Sequence, residues 1–237
     1  MTDNGVENAR KYWNKTVYIA SEMGITTTEL LTMDVEKVRE ILARGRNFRY
    51  YIFEPKFMEV MRLEQHRGKS VMEVGSGVGY DAVTMARSGA KVMAVDIIKD
   101  NLEAVKLNAK LNEVEVNTYL SDDDSKLPFQ DGTFDVVYSW GVIHHIPNGP
   151  EVIKDMVRVL KSGGLISLMV YNEIWAWWHG LTLQEIKDEI PSRKEGPYSR
   201  FYTMIELLKI LDTLRCKIDY VGVLKEGRYL IVHAIKR

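Results

Sequence analysis

Cysteine is almost absent from these 237 residues, with Cys216 standing alone. A single thiol excludes an internal disulfide framework, a CxxC redox pair and a cysteine-rich zinc or iron–sulfur site. It predicts a small buried hydrophobe instead. Long apolar runs are also missing. No stretch approaches the ~18 consecutive apolar residues that span a bilayer. The opening "MTDNGVENARKYWNK" lacks the apolar segment of a secretory signal, which predicts a cytoplasmic protein. Neither sign of charge prevails: 32 Lys and Arg stand against 33 Asp and Glu, so no global field draws the chain to nucleic acid or an anionic membrane. Repeats and low-complexity tracts are absent. Hydrophobic residues make up 46%, which suffices for one good core.

Residues 70–171 alternate between strand-like and helix-like patterns. "SVMEVG" is a short apolar run before the helical "YDAVTMARSG", which Gly89 ends. "KVMAVD" precedes the helix "KDNLEAVKLNAKLN", and "VEVNTYL" and "TFDVVYSW" read as two more strands. "GPEVIKDMVRVLKSGG" reads as a helix closed by two glycines, with "LISLMVYN" as the fifth strand. Alternating βα units with short loops require right-handed crossovers, hence a parallel sheet. After a helix over 203–213 with its cap at Tyr202–Thr203, "RCKIDYVGVL" and "RYLIVHAIKR" alternate around the turn "KEGR" and predict a hairpin. The expected fold is α/β: a doubly wound, mostly parallel, seven-stranded sheet whose last strand is antiparallel. Residues 1–69 form a helical, aromatic-rich cap on a domain covering 70–237, with a tryptophan-rich insert at 172–200.

"VMEVGSGVGYD" raises the functional question. Gly75, Gly77 and Gly79 permit a tight turn and let a ligand lie against bare backbone at the carboxyl end of the first strand. The dinucleotide fingerprint needs a glycine where Tyr80 stands, and a P-loop needs Gly-Lys-Ser/Thr, which is absent. Glu73 lies inside the strand before the loop. Asp96 ends the second strand about twenty residues on, where an acid can hold ribose hydroxyls.

These residues resemble the class I S-adenosylmethionine-dependent methyltransferases, and the resemblance continues through "VMAVDI", "SDDDSKLPFQDGTFD", "FDVVYSWGVIHHIPN" and "VRVLKSGGLISLMVYN". The last two blocks are similar to the ubiquinone and menaquinone biosynthesis subgroup. The resemblance implies S-adenosylmethionine as cofactor, with S-adenosylhomocysteine as product. Glu73, Gly75, Ser76, Gly77 and Gly79 would then form the cofactor loop, with Asp96 and Ile97 at the ribose. Asp123 would meet the adenine amino group, Asp124 would lie beside the ring, and Trp140 would wall the cofactor. A metal cluster at residues 122–124 is not expected, because consecutive residues leaving a strand point in different directions.

His144 and His145 follow the fourth strand, where an acceptor would enter. One of them could take a proton from the acceptor, or the rings could pack against the cofactor or cap backbone. Tyr50 and Tyr51 could line an acceptor cavity, with Arg49 clamping an anionic group. Tyr171, Trp175, Tyr198, Arg200 and Tyr202 share the expected rim, with Arg200 a second candidate clamp. The tryptophans could pack as core or close over a ring-containing acceptor.

The expected activity is methyl transfer to a small organic molecule, aromatic or apolar and open to carrying an anionic group. Amino-methylating nucleic-acid enzymes of this type carry Asn/Asp-Pro-Pro-Tyr/Phe where this chain has "SWGV", so no nucleic-acid partner is expected. Methylation of a protein or RNA, or a non-catalytic cofactor-binding role, remain as alternatives. A homodimer is compatible with both variable segments.

Overall fold

Val74, Asp96 and Leu120 end their strands side by side, and that alignment follows from the sequence. The first two strands are apolar runs, each followed within a few residues by a turn or a helix start, and the third alternates polar and apolar residues. In the computed structural model, which describes residues 4–13, 24–122, 126–181 and 198–237, β1 is Ser70–Val74, β2 is Lys91–Asp96 and β3 is Val116–Leu120. Both neighbouring pairs are parallel, with Val74 opposite Val95 and Asp96 opposite Leu120. Beyond their ends the chain stays tied: Gly75 N–H donates to Val95 O (2.8 Å) and Ser121 N–H to Asp96 O (2.9 Å).

The chain divides into two compact units, Met1–Asp122 and Asp123–Arg237. The fold is a seven-stranded, mostly parallel sheet, in the order β3-β2-β1 in the first unit and β4-β5-β7-β6 in the second. The first unit also holds α1 (Asn4–Trp13), α2 (Thr27–Leu31), α3 (Val35–Asn47), a π-helical stretch Phe48–Phe53, α4 (Phe57–Met61), α5 (Tyr80–Arg87) and α6 (Lys99–Leu111). α2 begins with a reciprocal capping box between Thr26 and Glu29, and Asp34 caps α3. α6 turns Leu102, Val105 and Ala109 inward at helical spacing.

In the second unit, β4 (Phe134–Trp140) leads through a short 3₁₀ turn, Ile143–His145, to α7 (Gly149–Val159) and β5 (Leu160–Tyr171). α8 (Glu173–Trp178) and α9 (Met204–Thr213) precede β6 (Cys216–Leu224) and β7 (Tyr229–Lys236). β7 is antiparallel to both β5 and β6, as the hairpin pattern predicts. Thr203 caps α9 by accepting from Glu206 N–H, and Cys216 is buried.

One boundary differs from its expectation. Gly163 and Gly164 do not close α7, which ends at Val159. They lie inside β5, where Leu160 already pairs with Phe134 and the next partners are Leu165 and Val136. The extra residues form an irregularity that Gly163 absorbs at φ +76°. At Gly164 a Cβ would stand 2.9 Å from Lys161 O and 3.1 Å from Asp135 O. Glycine serves a crowded strand here.

Candidate functional site

In the first unit the glycine loop is stitched to the strand beside it. Gly75, Gly77 and Gly79 all have positive φ, at 77°, 51° and 77°. A Cβ on Gly79 would meet Val105 Cγ2 at 2.9 Å, so α6 packs directly on this backbone. A Cβ on Gly77 would meet nothing within 4 Å. The loop is closed on one side and open on the other. Asn108 Nδ2 holds the closed side by donating to Val78 O at 3.0 Å.

Asp96 is buried and accepts at both oxygens, from Gly77 N–H (2.9 Å) and Ile98 N–H (2.9 Å), with Asn101 Nδ2 at 3.3 Å. Burial pushes its carboxyl up from 3.8 to about 6, against the pull of these donors. Glu73 is also buried and held well above the ordinary carboxylate range, first by burial and then by the charge of Asp81. Its Oε2 and the hydroxyl of Ser76 lack hydrogen-bond partners. Orphaned buried oxygens next to exposed loop backbone fit a polar ligand that supplies donors. The donor set suits a nucleoside with a cationic amino-acid tail.

The π-helical stretch places Arg49 and Tyr50 on one carboxylate. Arg49 forms a two-pronged pair with buried Asp81, Nε standing 2.9 Å from Oδ1, and Tyr50 Oη donates to the same oxygen at 2.8 Å. Tyr50 also meets Thr84 Oγ1 at 3.0 Å. Both residues are thus committed to α5 rather than displayed on a surface, whereas Tyr51 is exposed. Asp81 was not visible as a partner in the sequence. Arg10 of α1 was missed as well: it donates to Ile97 O (3.1 Å), Ser121 O (3.0 Å) and Asp122 Oδ1 (2.8 Å), bridging the residues that follow β2 and β3. Asp123 and Asp124 lie outside the described residues.

In the second unit the residues after β4 and β5 form an aromatic cluster. His144 is wholly buried and stacks on Tyr171 with ring centres 3.6 Å apart, and neither ring nitrogen has a hydrogen-bond partner. Burial holds its imidazole well below the ordinary value. His145 Nδ1 lies 2.8 Å from Tyr198 O. A carbonyl only accepts, so the proton sits on Nδ1 and leaves Nε2 as the basic nitrogen. Burial lowers this imidazole to about 4. Trp140 packs edge-on against Tyr229, itself stacked with Tyr171.

Arg200 forms an ion pair with Glu206 and lies over the ring of Tyr202, while its backbone N–H donates to His144 O at 2.7 Å. Tyr202 is fully buried, and the bare backbone of Gly149 makes room for its hydroxyl. Trp175 stacks on His179, whereas Trp177 and Trp178 are 57% and 77% exposed. The rest of the insert, residues 182–197, lies outside the described residues. No His, Cys, Asp and Glu cluster among the described residues could hold a metal ion.

Residues 72–168 match the family model described as a methyltransferase domain. A ubiquinone biosynthesis O-methyltransferase of Shewanella pealeana is 31% identical over 159 residues, covering 66% of this chain and 67% of that protein. The chain belongs to the class I S-adenosylmethionine-dependent methyltransferases. Its namesake from Idiomarina loihiensis is 28% identical over 147 residues, which are 61% of this chain. The chain spans about 60% of the length of this and similar curated relatives. In fold, a SAM-dependent methyltransferase from Methanosarcina mazei aligns with a TM-score of 0.61 at 20% identity, covering 75% of this chain and 96% of that one. S-adenosylmethionine is the cofactor of this class.

Proposed function

We propose that this methyltransferase transfers a methyl group from S-adenosylmethionine to a small, ring-containing organic acceptor, with oxygen as the receiving atom. The observation that carries the cofactor side is the half-open glycine loop, whose Gly77 faces open space while its N–H is tied to the Asp96 carboxylate. The oxygen acceptor rests on the name of the curated relatives, ubiquinone biosynthesis O-methyltransferase.

When bound, the sulfonium supplies a methyl group that is already electrophilic, so the chain's task is placement, which can contribute ~7–11 kcal/mol of the barrier. Asp96 would hold the ribose hydroxyls. Glu73 and Ser76, whose buried oxygens lack partners, would take donors from the amino-acid tail. The proton of the acceptor is a separate matter. His145 offers a fixed basic nitrogen, but at about 4 it is a weak base toward an ordinary hydroxyl. An acceptor that is acidic in itself suits such a site. No helix among the described residues is long and apolar enough to cross a membrane, and a cytoplasmic small-molecule enzyme is the setting we favour.

The test is calorimetric binding of S-adenosylmethionine to the wild type and to Asp96→Asn. Loss of hydrogen bonds to a charged group should weaken binding roughly 10- to 100-fold, about 1.5–3 kcal/mol, with the far-UV spectrum unchanged. Equal affinity would overturn the assignment of Asp96 to the ribose.

A further inference from the structure

Arg49 and Arg200, the two arginines expected to clamp an acceptor, are each paired with a carboxylate of this chain. Arg228 is not. It lies in the four-residue turn between β6 and β7, partly buried, with its guanidinium 5.3 Å from the ring centre of Trp175, 5.4 Å from Tyr171 and 5.6 Å from Tyr229. Among the described residues no carboxylate or carbonyl accepts from its side chain. Three ring faces attract a cation without cancelling its charge, and they leave its planar donor fork unused.

The turn is built to keep this side chain in place. Lys225 and Glu226 both adopt positive φ, at 51° and 55°, ahead of Gly227 at 90°. Side-chain-bearing residues seldom adopt that conformation. Asn172, buried at the end of β5, fastens the strained turn twice, its Nδ2 donating to Gly227 O (2.7 Å) and its N–H to Arg228 O (3.0 Å). Tyr171, directly before Asn172, is stacked on by His144, the buried imidazole with two unpartnered nitrogens. The charge of Arg228 reaches that imidazole and helps to hold it neutral. A fixed cation, flat ring faces and a neutral base thus occur together in one unit.

We propose that Arg228 is a specificity residue of the acceptor site, selecting ring compounds that carry a negative charge. This deepens the reading of a ring-containing acceptor and rests on it. The positive field of Arg228 also answers the weakness of the histidines as bases, because a nearby cation favours the ionised form of an acidic hydroxyl.

The test uses an isosteric pair, 2-naphthoate and 2-naphthamide, with binding to the full chain followed by ligand-observed NMR in the presence of S-adenosylhomocysteine. The wild type should bind the carboxylate at least tenfold more tightly than the amide. Arg228→Met, which keeps the stem and removes the charge, should abolish the preference. Arg228→Lys should retain part of it. Affinity for S-adenosylmethionine, measured on the same samples, should stay within twofold in both variants, which also shows that they fold. Equal affinity for the two compounds, binding of neither, or a preference that survives in Arg228→Met would overturn the proposal. Failure of the proposed methyltransferase function would register separately, as absence of cofactor binding in the wild type.

Discussion

Asp81 is 2% exposed and answers to three groups: both prongs of Arg49 and the hydroxyl of Tyr50. Removing the cation strands a carboxylate in the interior, which costs about 3–5 kcal/mol. Arg49→Met should therefore lower stability by that amount in urea titrations, and adding Asp81→Asn should restore part of the loss. A double variant no more stable than Arg49→Met would show that the pair is not coupled. Asp96 gives a second prediction at this scale. Its carboxyl titrates near 6, and ribose hydroxyls donate best to the ionised form. Below that value binding must first remove a proton, so affinity for S-adenosylmethionine should rise about tenfold between pH 5 and pH 7. Asp96→Asn should flatten this dependence. Because burial lowers His145 to about 4, it stays neutral throughout that range and does not account for the slope. A slope that persists in the variant would assign it to another group.

Among the elements, α1 is tied to the strand ends by the side chain of Arg10. A ten-residue helix is too short to be stable by itself in water. Arg10 supplies three hydrogen bonds to the residues after β2 and β3. In Arg10→Ala the amides of α1 should exchange with deuterium markedly faster, while those of β2 and β3 keep their protection. Unchanged exchange over residues 9–13 would show that other contacts hold the helix. Elements were legible in the sequence where their cause is local. α6 was legible as the helix "KDNLEAVKLNAKLN", Thr203 by its capping role, and the β6–β7 hairpin by its alternation around "KEGR". Gly163 and Gly164 misled because a glycine pair after an amphipathic helix looks the same whether it caps the helix or relieves a crowded strand. Only the pairing of Leu160 with Phe134 decides between these, and that pairing is not local.

On the scale of the whole molecule, the same distinction separates the glycine loop from the residues proposed to meet the acceptor. The loop, Glu73 and Asp96 were legible because a strand-turn-helix unit brings its own ends together, and the next strand follows at a set distance along the chain. Arg49 and Asp81 meet across 32 positions, and Arg228 reaches Tyr171 and Trp175 only because the antiparallel strands β5 and β7 place Tyr171 opposite Tyr229. No periodicity records such meetings. Occupancy of the loop should nevertheless register globally, because a ligand that binds only the folded state adds RT ln(1 + [L]/Kd) to stability, about 2.7 kcal/mol at a hundredfold excess over Kd. For a chain of 237 residues, where each kcal/mol raises Tm by roughly 2–4 °C, S-adenosylmethionine at that excess should raise Tm by about 5–10 °C. If Asp96→Asn weakens binding about thirtyfold, within the range expected for its lost hydrogen bonds, the same ligand concentration leaves about 1 kcal/mol. The shift should then shrink to about 2–4 °C. A wild-type melting temperature that does not respond to the cofactor would count against the loop as its binding site, whatever the acceptor proves to be.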